Sequence, residues 1–153
     1  MTVVLRPEEA KAFIEKPFAF VERIGLRALI MAPRHVKLGL PLEGNANHLG
    51  SIYAGALFTV AELPGGALFL TTFDVERFYP LLKAMQIRFR RPALTDVTVE
   101  VAMTREEAGR IAAEAETEGK AEFILQTAIR DADHRVVAET EGIYQLRKTG
   151  PAP

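Results

Sequence analysis

The chain has 153 residues, of which 48% are hydrophobic and 25% charged, with a formal net charge of −1. This suits one soluble domain with its own core, and it carries no electrostatic footprint for nucleic acid. Cysteine is absent, which excludes disulfides, thiolate metal sites and cysteine nucleophiles.

The opening, MTVVLRPEEAK, has no basic region followed by an apolar one. No signal peptide is expected, and a cytoplasmic location is. Pro7 at a helix start, with Glu8 and Glu9 in the first turn, predicts a helix from Pro7 to Lys16, ended by Pro17. Residues 1–19 are therefore expected to be an N-terminal helical segment. Arg27 to Ala32 and Val36 to Leu42 read as two strands joined by a tight Pro33-Arg34-His35 link. Pro41 marks the end of the second as an edge or exit. A polar loop follows from Glu43 to Gly50.

Ile52 to Leu70 is apolar or small throughout, with one charge, Glu62. A helix apolar all round is expected to be buried on all sides. Its length approaches that of a membrane span, but Pro64, Gly65, Gly66 and a central carboxylate argue for a core helix wrapped by a sheet. No membrane association is expected.

Asp74 to Pro80 reads as a polar connection. From Lys83 to Arg91 the chain alternates, with Met85, Ile87 and Phe89 on one face and Gln86, Arg88 and Arg90 on the other. Val97 to Met103 alternates likewise. Thr104 to Glu107 has the T-x-x-E pattern of a capping box, predicting a surface helix to Glu118 that stops at Gly119. Phe123, Leu125, Thr127 and Ile129 mark the next strand, Asp131 to His134 a turn, and Val136 to Arg147 the last strand. Residues 148–153 are expected to be a flexible tail. With no repeat or linker in 1–153, one α+β domain is expected, an antiparallel sheet curled around the long helix.

At this point the pattern resembles the hotdog-fold thioesterases, particularly the phenylacetate-degradation type and a related branch. In that family the long helix opens with His-Gly-Gly and carries an acid nine residues after the His. Here the matching residues are Tyr53-Ala54-Gly55, with Glu62 nine on from Tyr53. The family's Asn or Gln six residues before the His corresponds to Asn47. QIRFRRPAL, DVTVEV and the segment from Asp133 to Tyr144 resemble its later strands, and Asn45-Ala46-Asn47-His48 resembles the related branch. The resemblance covers roughly residues 20 to 147. It departs from the family at Tyr53, in place of the His, and at Ala54, in place of the first Gly.

The resemblance implies an acyl-CoA thioesterase or a hydrolase of another acyl thioester, with coenzyme A present only as part of the substrate and no cofactor. It also implies a homodimer or a homotetramer built as a dimer of dimers, with sheets joined edge to edge and paired sites at the junction.

The residues fit that chemistry. Backbone N–H groups at a buried helix start can hold a carbonyl oxygen as it gains charge. Resemblance assigns this to Ala54, and the small Gly55 beside it lets a thioester approach. Glu62 can act as base or nucleophile, with burial raising its pKa. Asn47 can hold the carbonyl or a water through its amide, and Tyr53 must replace the family His or leave that role empty.

Other readings stay open. Glu62 can be a buried acid paired with an Arg, Asn47 a cap or turn former, and Tyr53 a packing aromatic. His48 sits in the polar loop as a structural residue or a substrate contact. Arg88, Arg90 and Arg91 form a solvated face or a site for the phosphates of coenzyme A. Ser51 lacks a G-x-S-x-G context, and the three His residues show no metal-binding spacing. The rival functions are a non-catalytic acyl-ligand-binding domain and a hydratase or dehydratase.

Overall fold

The computed structural model describes residues 2–150. Six strands form one antiparallel sheet: β1 (Arg27–Ala32), β2 (His35–Leu40), β3 (Phe78–Phe89), β4 (Val97–Ala102), β5 (Lys120–Arg130) and β6 (Val136–Lys148). Their order is β1-β2-β4-β5-β6-β3, so β1 and β3 are the edges. The sheet curls around α3 (Ala54–Thr72), which contacts every strand. This is the α+β hotdog architecture expected from the sequence.

The elements follow from local chemistry. In α1 (Pro7–Glu15), proline stands at the start and Arg6 pairs with Glu9 at 2.6 Å. The face bearing Ala10 and Ile14 is buried. In α4 (Arg105–Glu118), Thr104 Oγ1 accepts the Glu107 N–H, and Gly119 terminates the helix at φ 80°. This surface helix buries only Ala108, Ile111 and Ala115. β4 buries Val97, Val99 and Val101 and leaves the alternate residues more open.

Four expectations are corrected. The N-terminal helical segment extends past residue 19, because α2 (Ala19–Ile24) follows and closes at Gly25, φ 72°. β3 begins at Phe78, so Pro80 lies inside a strand; on an edge, proline's missing N–H breaks no ladder. The flexible tail does not begin at Lys148, which pairs with Phe78 in β6, and the Thr149 N–H bonds Arg77 O at 2.8 Å. Residues 151–153 of that tail lie outside the described residues. Finally, α3 is not covered on all sides. Twelve of its 19 residues are buried, but Gly55, Phe58, Thr59, Glu62 and Gly66 form a stripe, spaced by three and four, that remains partly open.

On its covered side α3 touches the sheet closely. A Cβ on Gly65 would overlap the ring of Tyr144, and one on Gly142 would lie 2.7 Å from Tyr144 Cε2. The buried ring thus fills space that two glycines leave. Gly65→Ala is therefore expected to cost about 1–3 kcal/mol or more by overpacking. Gly55→Ala meets only the exposed ring of Tyr53, which can swing aside, and should be nearly neutral. Urea melts of both variants test the contrast; equal costs would contradict it.

Candidate active site

The start of α3 is held by main-chain bonds from both sides. The Ile52 N–H donates to Ala93 O at 2.9 Å and the Tyr53 N–H to Asn45 O at 2.8 Å. Asn45 is itself buried, its amide donating to Ile24 O (2.7 Å) and Pro41 O (2.8 Å). The loop ahead of the helix closes on Asn47. Its Oδ1 accepts the N–H groups of Leu49 (2.9 Å) and Ser51 (3.3 Å), and its Nδ2 donates to Ser51 Oγ (3.0 Å). Asn47 is thus a loop closer and not the helix cap. The cap position is Tyr53, whose side chain makes no capping bond.

As a result the helix opens with free donors. The Ala56 and Leu57 N–H groups both bond Tyr53 O, at 3.0 and 3.1 Å. The N–H groups of Ala54 and Gly55 have no acceptor among the described residues. They stand at the positive end of a 19-residue helix with no acid in its first turn. A cleft of about 370 Å³ opens there, lined by Asn47, Ser51, Ala54, Phe89 and Arg91 among others. Tyr53 is 61% exposed, and its ring lies against Gly55.

Glu62 lies on the open stripe of the same helix. No described residue forms an ion pair or side-chain hydrogen bond with its carboxyl, and burial raises its pKa above the ordinary value. The hydroxyl of Tyr144 donates to the Glu62 main-chain O at 2.9 Å. Burial and then the Glu62 charge push that hydroxyl well above the usual phenol range. Tyr144 was not foreseen from the sequence, although Gly142 inside a strand and Gly65 in the helix, which both meet the Tyr144 ring, were the available sign of a close approach.

The other candidates are divided. Arg90 pairs with Glu139 (Nη2 to Oε2, 2.6 Å). Arg88 lies with Arg90 beside a second cleft on the outer face of the sheet, whereas Arg91 faces the mouth at Ala54. His48 is exposed on the loop, and the mouth is lined without it. Among the described residues no cluster of three or more metal-ligating side chains occurs.

Ala54 and Glu62 are eight residues apart, which places them about 12 Å apart along the helix axis. One carbonyl group cannot touch both within one chain. β3 is a long, unpaired sheet edge on which Tyr79, Leu81 and Phe89 are exposed.

The family described as "Domain of unknown function (DUF4442)" matches residues 9–144. A Pseudomonas aeruginosa protein described as of unknown function and a "probable thioesterase" superposes with a TM-score of 0.93 at 50% identity, over 97% of this chain and 100% of that one. A Haemophilus influenzae thioesterase shares the fold at a TM-score of 0.72 and 12% identity, over 96% of this chain and 94% of its own. A Gln→Ala mutant of a second P. aeruginosa thioesterase does so at 0.73 and 13%, over 96% and 97%. No curated protein matches the chain.

Proposed function

The chain belongs to the DUF4442 family and to the hotdog-fold thioesterase superfamily, and from that membership we propose that it hydrolyses an acyl thioester, such as an acyl-CoA, to free acid and thiol. The observation that carries the reading is the pair of unclaimed N–H groups at Ala54 and Gly55, opening into a cleft at a helix start. The thioester carbonyl sits on these amides, which stabilise the oxygen as it becomes negative. Glu62, from the α3 of a second copy, takes the proton of an attacking water; the C–S bond then breaks and the thiolate leaves with that proton. If Glu62 attacks directly instead, the thiolate leaves as a mixed anhydride forms, and water hydrolyses the anhydride to the free acid, restoring Glu62 and protonating the thiolate.

In this reading the unit is a homodimer joined along β3, alone or doubled into a tetramer. The stripe of one α3 faces that of the other, so each carbonyl lies between the helix start of one chain and the carboxylate of its partner. Asn47 keeps one amide hydrogen beyond its bond to Ser51, available to the carbonyl or the water. Tyr53, its ring lying against Gly55, stands where the family His would be. Arg91, with His48 on the loop beyond, borders the path of the thiol arm.

A non-catalytic acyl-binding role is the second reading, favoured by Tyr53 at the motif His position. A panel of acyl-CoA thioesters of increasing chain length separates the two, with thiol release read by a colorimetric reagent; the absence of cysteine leaves no protein background. Release that follows enzyme concentration is expected. Saturable binding without release would select the second reading.

A further inference from the structure

β4 and β5 are neighbours in the sheet but hardly pair. Their register contains only Thr98↔Arg130 and Val99↔Ile129, although β5 has 11 residues. Beyond those pairs the strands separate, because the chain leaves β4 for α4, which packs on β5 and β6. Main-chain groups on both sides of the gap are left without ladder partners.

The gap opens on the outer face as a cleft of about 490 Å³, within the range of roughly 300–1,000 Å³ usual for small-molecule sites. It is lined by His35, Lys37, Glu100, Gln126, Arg130 and His134. Glu100, the one acid, is engaged by His35 at 2.6 Å and Lys37 at 3.9 Å. Arg130 has no acid partner among the described residues; its Nη1 donates to His134 O at 3.0 Å.

The His134 turn is preformed. Its backbone is left-handed, φ 64°, and the Asp131 carboxylate holds it through the N–H groups of Asp133 (3.0 Å) and Arg135 (2.9 Å). Residues 126–128 also line the outer cleft of Arg88 and Arg90, and Arg90 in turn lines the mouth at Ala54. A run of adjoining clefts therefore leads from the helix start to the gap.

We propose that the gap between β4 and β5 is a binding cleft for a phosphate-bearing ligand, gripped by Lys37 and Arg130 with His35 and His134 as further donors. Charged donors on two strands, imidazoles on β2 and the turn after β5, and amides released from a ladder suit phosphate oxygens. Under the thioesterase reading, on which this assignment of source rests, the ligand is the nucleotide end of a coenzyme A thioester. Its arm runs along the clefts to the mouth. Free phosphate is the other source of the same chemistry.

Calorimetric titration of the intact protein with coenzyme A, adenosine 3′,5′-bisphosphate and inorganic phosphate tests this. Both nucleotides should bind, more weakly as salt rises. Lys37→Gln and Arg130→Gln, each with the parental melting curve, should weaken them about tenfold or more, the effect of losing one charged hydrogen bond. KM for an acyl-CoA should rise in step, while the same acyl group on N-acetylcysteamine, which has no phosphate, should show no change. Tight binding of inorganic phosphate alone, lost in the same variants, would keep the cleft and overturn the nucleotide assignment.

Unchanged affinity in either variant, once that variant is shown to be folded, overturns the proposal. The two readings also fail separately. Coenzyme A binding that depends on Lys37 and Arg130 without thiol release ends the hydrolase reading alone. Thiol release indifferent to both variants ends this one alone.

Discussion

Glu62→Gln is expected to lower turnover by about 10²-fold or more, the lower range of general-base catalysis, without lowering the melting temperature at neutral pH. The second half of that result follows from the surroundings of the carboxyl. No cation within the described residues pairs with it, and burial raises its pKa. The native state therefore holds the Glu62 proton more tightly than the unfolded chain does. The stability this contributes is fully present below the unfolded carboxyl's pKa and is lost as pH climbs through the raised native value. Glutamine has no such loss. The parent's melting temperature should fall relative to the variant's between acidic and neutral pH, while the parent's turnover should rise over the same window as the base ionises. Should Glu62 instead pair with a cation from a second copy, the variant would lose about 3–5 kcal/mol. Activity would then fall only with the folded fraction. Measuring rate and melting curve on one preparation decides between them.

Glu62 was legible in the sequence for the reason that makes it interesting, as the single charge in a long apolar helix. β4 was legible because one of its faces is buried and the other open, which writes a period of two into Val97, Val99 and Val101. α2 was not, because six residues burying only Val21 leave no period to read. The start of β3 was missed for a related reason. An edge strand that awaits cover on an open side shows mixed polarity, and Pro80 reads as an interruption until the strand is known to be an edge.

The bonds of Asn47 depend on loop geometry that its identity does not encode. The link from Tyr144 to Glu62 spans 82 residues, and only the glycines on either side of the ring hinted at it. The open stripe on α3 was invisible in principle. Apart from Glu62, its residues are small, apolar or a single threonine, like the rest of the helix, so no polar period marks that side as open.

Two inactive variants, mixed, are expected to regain activity. Gly55→Val blocks the approach to the free amides; its side chain displaces the exposed Tyr53 ring, so the fold should survive. Glu62→Gln removes the carboxylate. If each site joins the helix start of one chain to the Glu62 of the other, a mixed dimer carries one site with both defects and one with neither. Random reassortment gives half mixed dimers, each with one working site, so about a quarter of parental activity should return. A site within one chain gives none, since every chain carries a defect. The roughly 12 Å between Ala54 and Glu62 along the helix is what favours the first outcome. Co-expression with two affinity tags isolates the mixed dimer, and its thiol release per molecule should approach half that of the parent. A purified mixed dimer as inactive as either variant would show that helix start and carboxylate do not meet across the β3 edge, and would remove the partner chain from the reaction.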